Sequence, residues 1–219
     1  AAGRHGGMEW MTEWVEQRAD VRRLIDGVEV RSVIVVSDQY AAAGAEDEGR
    51  GGEVVGRIAR YARGRDYHDV MRKRLHQLCD RLRALHPGEH FRAFVDTAPV
   101  MEREHAARAG LGFIGKHTLL IDPARGSWLL LGGIATTLEL SPTAEREPAP
   151  HCGTFTRCID ACPTRAITPY AVDATRCISY LTIEHEGAIE PALHAGIGSW
   201  LLGGDVCPEV CPFNTARAA

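Results

Sequence analysis

The chain has 219 residues, 45% of them hydrophobic, which is enough for one packed core or for one domain with a small appendage. Its 25 basic and 29 acidic residues nearly cancel, so the composition excludes a global attraction to nucleic acid or to an anionic membrane, and such a partner would need a local patch. The apolar runs are shorter than the roughly 20 residues of a membrane-spanning helix and no export signal opens the chain, which predicts a soluble, cytoplasmic protein without a membrane partner.

Helical and strand patterns alternate from the start of the chain. Residues 8–19 have helical character. Residues 29–40 predict a buried strand because four β-branched residues run together within it, and a strand that is apolar on both faces is expected at the centre of a sheet. The segment 41–53 is small, Gly-rich and acidic, which predicts a mobile loop.

The following elements complete a first domain. Apolar residues recur at three- and four-residue steps over 66–87, which predicts an amphipathic helix in which Cys79 is a small core or boundary residue. A short strand with a turn is expected over 90–99. A helix is expected over 99–110, because this segment starts with Pro and ends with Gly. Residues 118–138 predict a β-hairpin.

A polar, Pro-rich linker over 141–150 divides this first part from the cysteine-bearing remainder. We therefore predict two domains, 1–145 and 146–219.

Six of the seven cysteines lie close together in the last third of the chain. They are Cys152, Cys158, Cys162, Cys177, Cys207 and Cys211. In a chain without an export signal, grouped cysteines bind metal or do redox chemistry more often than they form disulfides, because the cytoplasm is reducing. The clustering therefore favours a metal site, with disulfides as the alternative.

The spacing of the first three cysteines nearly matches an iron–sulfur binding run. Bacterial ferredoxin segments place three cysteines two residues apart, and a fourth follows three residues later, directly before Pro. Cys152, Cys158 and Cys162 fit this run, but Phe155 stands in its second position. A later group also ends in Cys-Pro, and Gly204 stands where a further cysteine would complete it. One ligand is missing from each set.

Other interpretations of these cysteines stay open. Three thiolates can hold a three-iron cluster, or a four-iron cluster whose remaining iron takes water or a carboxylate. Vestigial cysteines in a domain that folds on apolar contacts are one alternative. Zinc is another, although the spacings lack the usual two-residue knuckle.

Several sequence blocks together resemble a known family. These blocks are 60–75, 94–104, 107–121, 151–153 with 158–167, 176–182 and 211–214. In this order they resemble the epoxyqueuosine reductases, the cobalamin- and iron–sulfur-dependent enzymes of the last step in making queuosine in transfer RNA. Relative to the family pattern, the chain begins late and stops without the helical-repeat extension that some members carry.

The resemblance implies an α+β fold, in which a mixed-sheet cobalamin-binding domain is followed by a small ferredoxin-like iron–sulfur domain. It also implies two four-iron clusters, each with one substituted ligand position. The first would be held by Cys152, Cys158, Cys211 and the position of Phe155. The second would be held by Cys162, Cys177, Cys207 and the position of Gly204. Asp205 is the expected substitute ligand at the second cluster, and we expect altered or labile clusters of shifted potential.

The resemblance implies that Asp96 delivers a proton during epoxide reduction. A carboxyl group near an apolar corrin face has its charged form disfavoured by desolvation, which suits an acid. From the residues alone, a cap of the helix that follows is the preferred interpretation of Asp96, and the resemblance reverses that preference. The positions that the resemblance assigns to cobalamin binding are Arg18, Ala59, Asp96, Glu102, Leu120, Leu131, Ser179 and Asp205.

The segment 57–74 is the candidate contact for transfer RNA. It holds seven basic residues against two acidic ones, with Tyr61 and Tyr67 interleaved. Such a patch can neutralise phosphates and stack a base. The alternative is that these basic residues form the solvated face of the long helix. An external low-potential electron donor and a monomeric state are also expected.

Two rival functions stay open. A divergent relative could bind corrinoid or nucleic acid without reducing anything, or the chain could carry out another corrinoid-dependent reduction such as dehalogenation.

Overall fold

The computed structural model describes residues 3–41, 56–143 and 151–215. The strands in these ranges are β1 (Ser32–Gln39), β2 (Arg57–Ile58), β3 (Phe91–Phe94), β4 (Phe113–Ile114), β5 (Leu120–Ile121), β6 (Leu129–Thr136), β7 (Ile167–Thr168), β8 (Ala171–Val172) and β9 (Trp200–Leu202). The α-helices are α1 (Trp10–Glu13), α2 (Val15–Ala19), α3 (Tyr67–Leu85), α4 (Glu102–Arg108), α5 (Arg157–Asp160), α6 (Ile178–Ile183), α7 (Pro191–Ile197), α8 (Val206–Glu209) and α9 (Pro212–Thr215). None of the described helices has the length and apolar character needed to cross a bilayer.

The largest sheet has the order β1-β6-β3 and is antiparallel throughout. The prediction of a mixed central sheet with β1 at its centre was therefore wrong for the described residues. The middle strand is β6, whose glycines let both neighbours approach. A Cβ at Gly133 would come within 2.4 Å of the Ile34 carbonyl oxygen and 2.5 Å of the Phe94 ring. The apolar run of β1 is instead covered only partly, since its residues are half-buried.

The predicted hairpin over 118–138 was also wrong in its pairing. Strand β5 pairs with β4, whereas β6 pairs with β1 and β3. A tight turn does lie between β5 and β6. Asp122 Oδ1 accepts hydrogen bonds from the backbone amides of Ala124 and Arg125, and Gly126 has φ +82°. After this turn the chain enters a different sheet, because β6 pairs with β1 on one side and with β3 on the other.

Helix α3 confirms the predicted amphipathic helix. Asp66 caps it by accepting a hydrogen bond from the His68 amide at 2.9 Å. Its buried face carries Met71, Leu75 and Cys79, which pack in one cluster with residues of β3 and β6. Cys79 is fully buried, as expected of a small core residue. The helix therefore covers one face of the main sheet and fixes where its N-terminus lies relative to the end of β3.

The cysteine-rich tail packs on the first half of the chain through a shared core. Ala59 lies in one apolar cluster with Ile178, Leu181 and Trp200, and β2 pairs in parallel with β9. The residues next to the predicted boundary at 145, and the predicted loop from residue 42 onward, lie outside the described residues.

Candidate functional site

Three cysteines from separate segments come together beside β4 and β5. Cys152 and Cys211 pack in one buried cluster with Phe113 and Ile121. Burial raises the pKa of the Cys158 thiol, and the nearby charge of Cys152 raises it further. The pKa of Cys211 is raised by burial and then by the charges of both other thiols. The structure therefore gathers the first trio, Cys152, Cys158 and Cys211.

The second trio borders a cavity of about 580 Å³. Cys162, Cys177 and Cys207 all line it, and so does Gly204. Cys207 lies on α8, and its strongly raised pKa reflects burial first and then the charges of other cysteines. Apolar side chains, among them Met8, Met11 and Ile178, line much of the cavity. Water is therefore a poor competitor for the thiols here.

The two trios suit clusters better than single ions. Within the described ranges, no three histidine, cysteine or acidic side chains converge closely enough to hold one metal ion. A cubane spaces its thiolates further apart, because its own irons and sulfides lie between them. Backbone amides also point at the sulfurs: Lys116 N lies 3.4 Å from Cys152 Sγ, and Ala166 N lies 3.3 Å from Cys162 Sγ. Such hydrogen bonds stabilise thiolates and tune cluster potential. All seven cysteines are described and are free thiols.

The two substituted positions differ in their surroundings. The Phe155 side chain is half exposed and offers no donor to the first trio. A Cβ at Gly204 would meet Ile178 at 3.2 Å, so a cysteine there needs a shift of a few tenths of an ångström. Asp205, the expected substitute ligand, is buried, and its Oδ2 accepts a hydrogen bond from the Arg60 amide at 2.6 Å. At least one of its oxygens is thus already engaged.

Asp96 lies just after β3 and borders a second cavity, of about 660 Å³. Trp10, Trp14 and Arg18 line the same space. Asp96 has φ +51°, a left-handed conformation that is uncommon for a residue with a side chain. Strained backbone of this kind persists when the surroundings enforce it, and it is concentrated at functional sites.

Two side chains at the start of α3 hold the Asp96 carboxylate in a hydrogen-bonded chain. His68 Nε2 lies 3.1 Å from Asp96 Oδ2, and His68 Nδ1 lies 2.8 Å from Asp66 Oδ1. The ring of His68 stacks on Tyr67 with centroids 4.0 Å apart. Sequence reasoning missed His68. The signal was present in the order Asp-Tyr-His at the predicted helix start, but its partner Asp96 is 28 residues away.

Tyr67 and Glu102 complete the surroundings of Asp96. Burial raises the pKa of Tyr67, and the charge of Asp96 together with a hydrogen bond to its carboxylate raises it further. Burial raises the pKa of Glu102 to about 7. Glu102 Oε1 and Arg18 Nε are both buried without a hydrogen-bond partner. The site therefore has an acid close to neutrality and two polar atoms that a bound molecule could satisfy.

The eight positions implied for cobalamin binding fall in several places, and Glu102 is among those that line neither of the two cavities. Arg18 and Asp96 line the 660 Å³ cavity, and Ser179 and Asp205 line the 580 Å³ cavity. Ala59 is buried in the core beside the second cavity. Leu120 on β5 and Leu131 on β6 are not among the residues that line either cavity. Trp10 lines both spaces.

The basic residues of 57–74 divide into engaged and exposed groups. Arg57 Nη2 contacts Glu209 Oε1 at 2.9 Å and its guanidinium lies 4.0 Å over the Trp200 ring. Arg60 lies 4.8 Å over Trp128, and Arg74 pairs with Asp38 at 2.8 Å. The exposed basic side chains include Arg65, Arg72 and Lys73. Tyr61 and Tyr67 are half-buried and contact each other edge to face.

Two family models match parts of the chain. Residues 18–97 match the model described as epoxyqueuosine reductase QueG, DUF1730. Residues 151–214 match the model described as a 4Fe-4S double cluster binding domain. The tail is therefore an iron–sulfur cluster-binding domain, and the predicted iron–sulfur chemistry is confirmed at that level.

Curated relatives and solved structures agree. An epoxyqueuosine reductase of Xanthomonas campestris pv. campestris is 45% identical over 98% of this chain and 60% of the relative. One from Synechocystis sp. is 42% identical over 98% of this chain and 72% of the relative. A crystal structure of epoxyqueuosine reductase with an epoxyqueuosine-modified tRNA-Tyr stem loop matches at a TM-score of 0.76 and 30% identity, over 94% of this chain and 58% of that one.

The chain thus spans about 60% of the length of the Xanthomonas relative. The similarity nevertheless extends over almost all of this chain, from its N-terminal helices to its last cysteine. With 42% identity to a relative of which it covers 72%, the chain belongs to the epoxyqueuosine reductase family.

Proposed function

We propose that this chain reduces the epoxide of epoxyqueuosine in transfer RNA to the alkene of queuosine. The observation that carries the proposal is the order of the parts: a trio of thiols borders one cavity, Asp96 borders the next, and Trp10 lines both. This arrangement, with thiols at one cavity and a carboxyl group at the other, suits a reaction in which electrons arrive from one side and a proton from the other. The relatives named epoxyqueuosine reductase, and the related structure with a modified tRNA stem loop, support the same reaction.

The residues fit a corrinoid in the two cavities. Arg18 Nε and Glu102 Oε1 are buried polar atoms without partners, as expected where a ligand completes the hydrogen bonding. Arg18 lines one cavity, and Ser179 and Asp205 line the other. Ala59, Leu120 and Leu131 would contribute through backbone or apolar contact. When bound, cobalamin would supply low-valent cobalt chemistry to the carbon–oxygen bond.

Asp96 is the proposed proton donor. Asp96 lines the 660 Å³ cavity, and His68 and Tyr67 both contact its carboxylate. Its backbone has φ +51°, a strained conformation of the kind that is concentrated at functional sites. The charge of Asp96 adds to the effect of burial in raising the pKa of Glu102, so the protonation states of the two carboxyl groups are coupled.

The two cysteine trios are the proposed cluster ligands. Each trio supplies three thiolates, and neither Phe155 nor Gly204 supplies a fourth. We expect each cluster to be a three-iron species or a four-iron species with one exchangeable iron. An external low-potential donor would feed electrons to them. The functional division at 1–145 and 146–219, a monomeric state and a cytoplasmic location complete the proposal.

Exposed basic residues on or just before α3 are the proposed contact with the tRNA phosphates. Arg65, Arg72 and Lys73 lie on or just before α3, the helix whose N-terminus holds the Asp66 and His68 pair. Neutralising phosphates there would bring an anticodon loop to the cavity. The engaged residues Arg57 and Arg60 are structural instead.

The test is product analysis. The purified chain, reconstituted anaerobically with iron, sulfide and cobalamin, is given an epoxyqueuosine-containing stem loop and a chemical one-electron reductant. We expect loss of one oxygen from the nucleoside by mass spectrometry, and no product with Asp96→Asn. No product from the wild-type chain would overturn the proposed function. The rival, a non-catalytic relative, is favoured by the two substituted cysteines and would be supported by protein that stays colourless after reconstitution.

A further inference from the structure

The proposed reaction has a proton requirement that one carboxyl group does not meet. Conversion of an epoxide to an alkene takes up two electrons and two protons, and the epoxide oxygen leaves as water. The electrons come from the external one-electron donor of the proposed function. A carboxyl group carries a single proton, so Asp96 must be recharged within each turnover. The Asp96 side chain is 61% exposed in the ligand-free protein, but a substrate in the 660 Å³ cavity would cover it, so the recharging group must contact Asp96 and reach solvent from another side.

His68 meets both conditions. Its Nε2 lies 3.1 Å from Asp96 Oδ2, within hydrogen-bond distance, and its side chain is 27% exposed. Its other ring nitrogen lies 2.8 Å from Asp66 Oδ1. The same carboxylate oxygen accepts a hydrogen bond from the backbone amide of His68 at 2.9 Å. Asp66 therefore contacts both the backbone and the ring of His68. Stacking on Tyr67 fixes the ring plane.

We propose that His68 is the positioning residue that returns protons to Asp96 during turnover. After Asp96 gives a proton to the departing oxygen, the Nε2 proton of His68 moves to Asp96 Oδ2. The imidazolium becomes neutral imidazole and the carboxylate becomes a carboxylic acid. The ring then takes a proton back from water at Nε2. Over one turnover two protons pass along this route and both end in the released water.

Asp66 keeps the exchange on one nitrogen. Because Asp66 accepts from Nδ1, the neutral ring keeps its proton there and leaves Nε2 free to exchange. A histidine between two carboxylates also favours its charged form. The pKa of His68 is raised above its ordinary value: burial works against this, and the hydrogen bonds that the ring makes to the Asp96 and Asp66 carboxylates outweigh burial.

The groups that face this pair come from several elements. Besides Asp66 on the cap, they are Tyr67 on α3, Tyr61, and Glu102 and Arg103 at the start of α4. Burial raises the pKa of both tyrosines. They therefore stay protonated near neutrality and do not supply protons. Arg103 is a fixed positive charge whose Nη1 donates to the Thr118 carbonyl. Tyr67 contacts Asp96 but holds its proton, so His68 is the contacting group of this set that can exchange protons with Asp96.

The first test needs neither cofactor nor turnover. Nuclear magnetic resonance of protein with nitrogen-15-labelled histidine reports the titration of the His68 ring. We expect Asp96→Asn to lower the His68 midpoint by about one pH unit, because one of its two carboxylate partners becomes neutral. Asp66→Asn is expected to lower it as well. His76→Gln, an exposed change on the same helix, leaves it unmoved. A midpoint that Asp96→Asn leaves in place would overturn the proposal.

The second test is kinetic and rests on the proposed function. With the stem-loop assay, His68→Gln is expected to lower kcat about 100-fold without changing KM, and free imidazole is expected to restore part of the rate of His68→Ala. His76→Gln keeps the wild-type rate. If His68→Gln turns over like the wild type while Asp96→Asn is inactive, the proton route fails and the proposed function stands. If the wild type is inactive, the proposed function fails, whereas the resonance titration still tests the coupling between His68 and Asp96.

Discussion

Replacing Glu102 by Gln should stabilise the ligand-free protein at neutral and alkaline pH but not at acid pH. Burial raises the pKa of Glu102 from 4.5 to about 7. The folded protein therefore holds this proton more tightly than the unfolded chain does. Between pH 4.5 and 7 the unfolded chain ionises first, so the free energy of unfolding falls as pH rises. Above pH 7 both states are ionised and the loss is constant.

The magnitude follows from the size of the shift. About 1.4 kcal/mol per pKa unit gives an upper limit of about 3 kcal/mol above pH 7, and a gain of about 1–2 kcal/mol is expected because Glu102 retains some solvent contact. Denaturant titrations of wild type and Glu102→Gln at pH 5 and pH 8 measure it. Glu104→Gln, on the same helix but paired with Arg108 at its surface, is the matched control and should show no such gain. Equal effects of Glu102→Gln at both pH values would refute the reasoning.

Three further predictions concern the clusters, the RNA face and the tail. Restoring thiols with Phe155→Cys and Gly204→Cys should raise the iron content after reconstitution and replace three-iron electron-spin resonance signals by those of reduced four-iron clusters; unchanged spectra would contradict the three-thiolate assignment. The double change of Arg65 and Lys73 to Ala should weaken binding of the stem loop and lower the slope of log affinity against log salt by about 0.7–0.9 per lost contact. A slope equal to that of the wild type would contradict the proposed contact. Asn214→Ala should cost about 2–4 kcal/mol by thermal or denaturant unfolding, because three buried hydrogen bonds at 2.7–2.8 Å are lost; a cost below about 0.5 kcal/mol would argue against it.

Local pattern was enough to predict the elements whose causes are local. Helix α3 has an apolar stripe and an Asp cap within its own sequence, and both are found in the structure. The strand order was not predictable in this way. The apolar run of β1 indicated burial, but its neighbours depend on which strand tolerates close approach on both sides, and the glycines of β6 decide that.

The same distinction explains which site residues the sequence revealed. The cysteines could be recognised as candidate ligands from their residue type and spacing, so the iron–sulfur chemistry could be predicted before the fold was known. His68 could not be, because one histidine at a helix start is ordinary until the end of β3 brings Asp96 to 3.1 Å. Asp66 opens the predicted helix in the sequence, yet its acceptance of a hydrogen bond from the His68 ring depends on a side-chain direction that the sequence does not encode by pattern.

The attachment of the tail explains how the distant parts of this site are held in register. Asn214 accepts from the Ser127 amide at 2.7 Å and donates to the Ser127 hydroxyl and the Pro208 carbonyl, so it joins the segment of Cys207 and Cys211 to the turn before β6. Strand β6 is the centre of the sheet whose β3 edge ends at Asp96. The segment of Cys207 and Cys211 and the acid Asp96 are therefore both positioned relative to strand β6. Electrons and protons must reach the same substrate. A variant that loosens the attachment of the tail should therefore lower the rate even when neither Asp96 nor any of the cysteines is substituted.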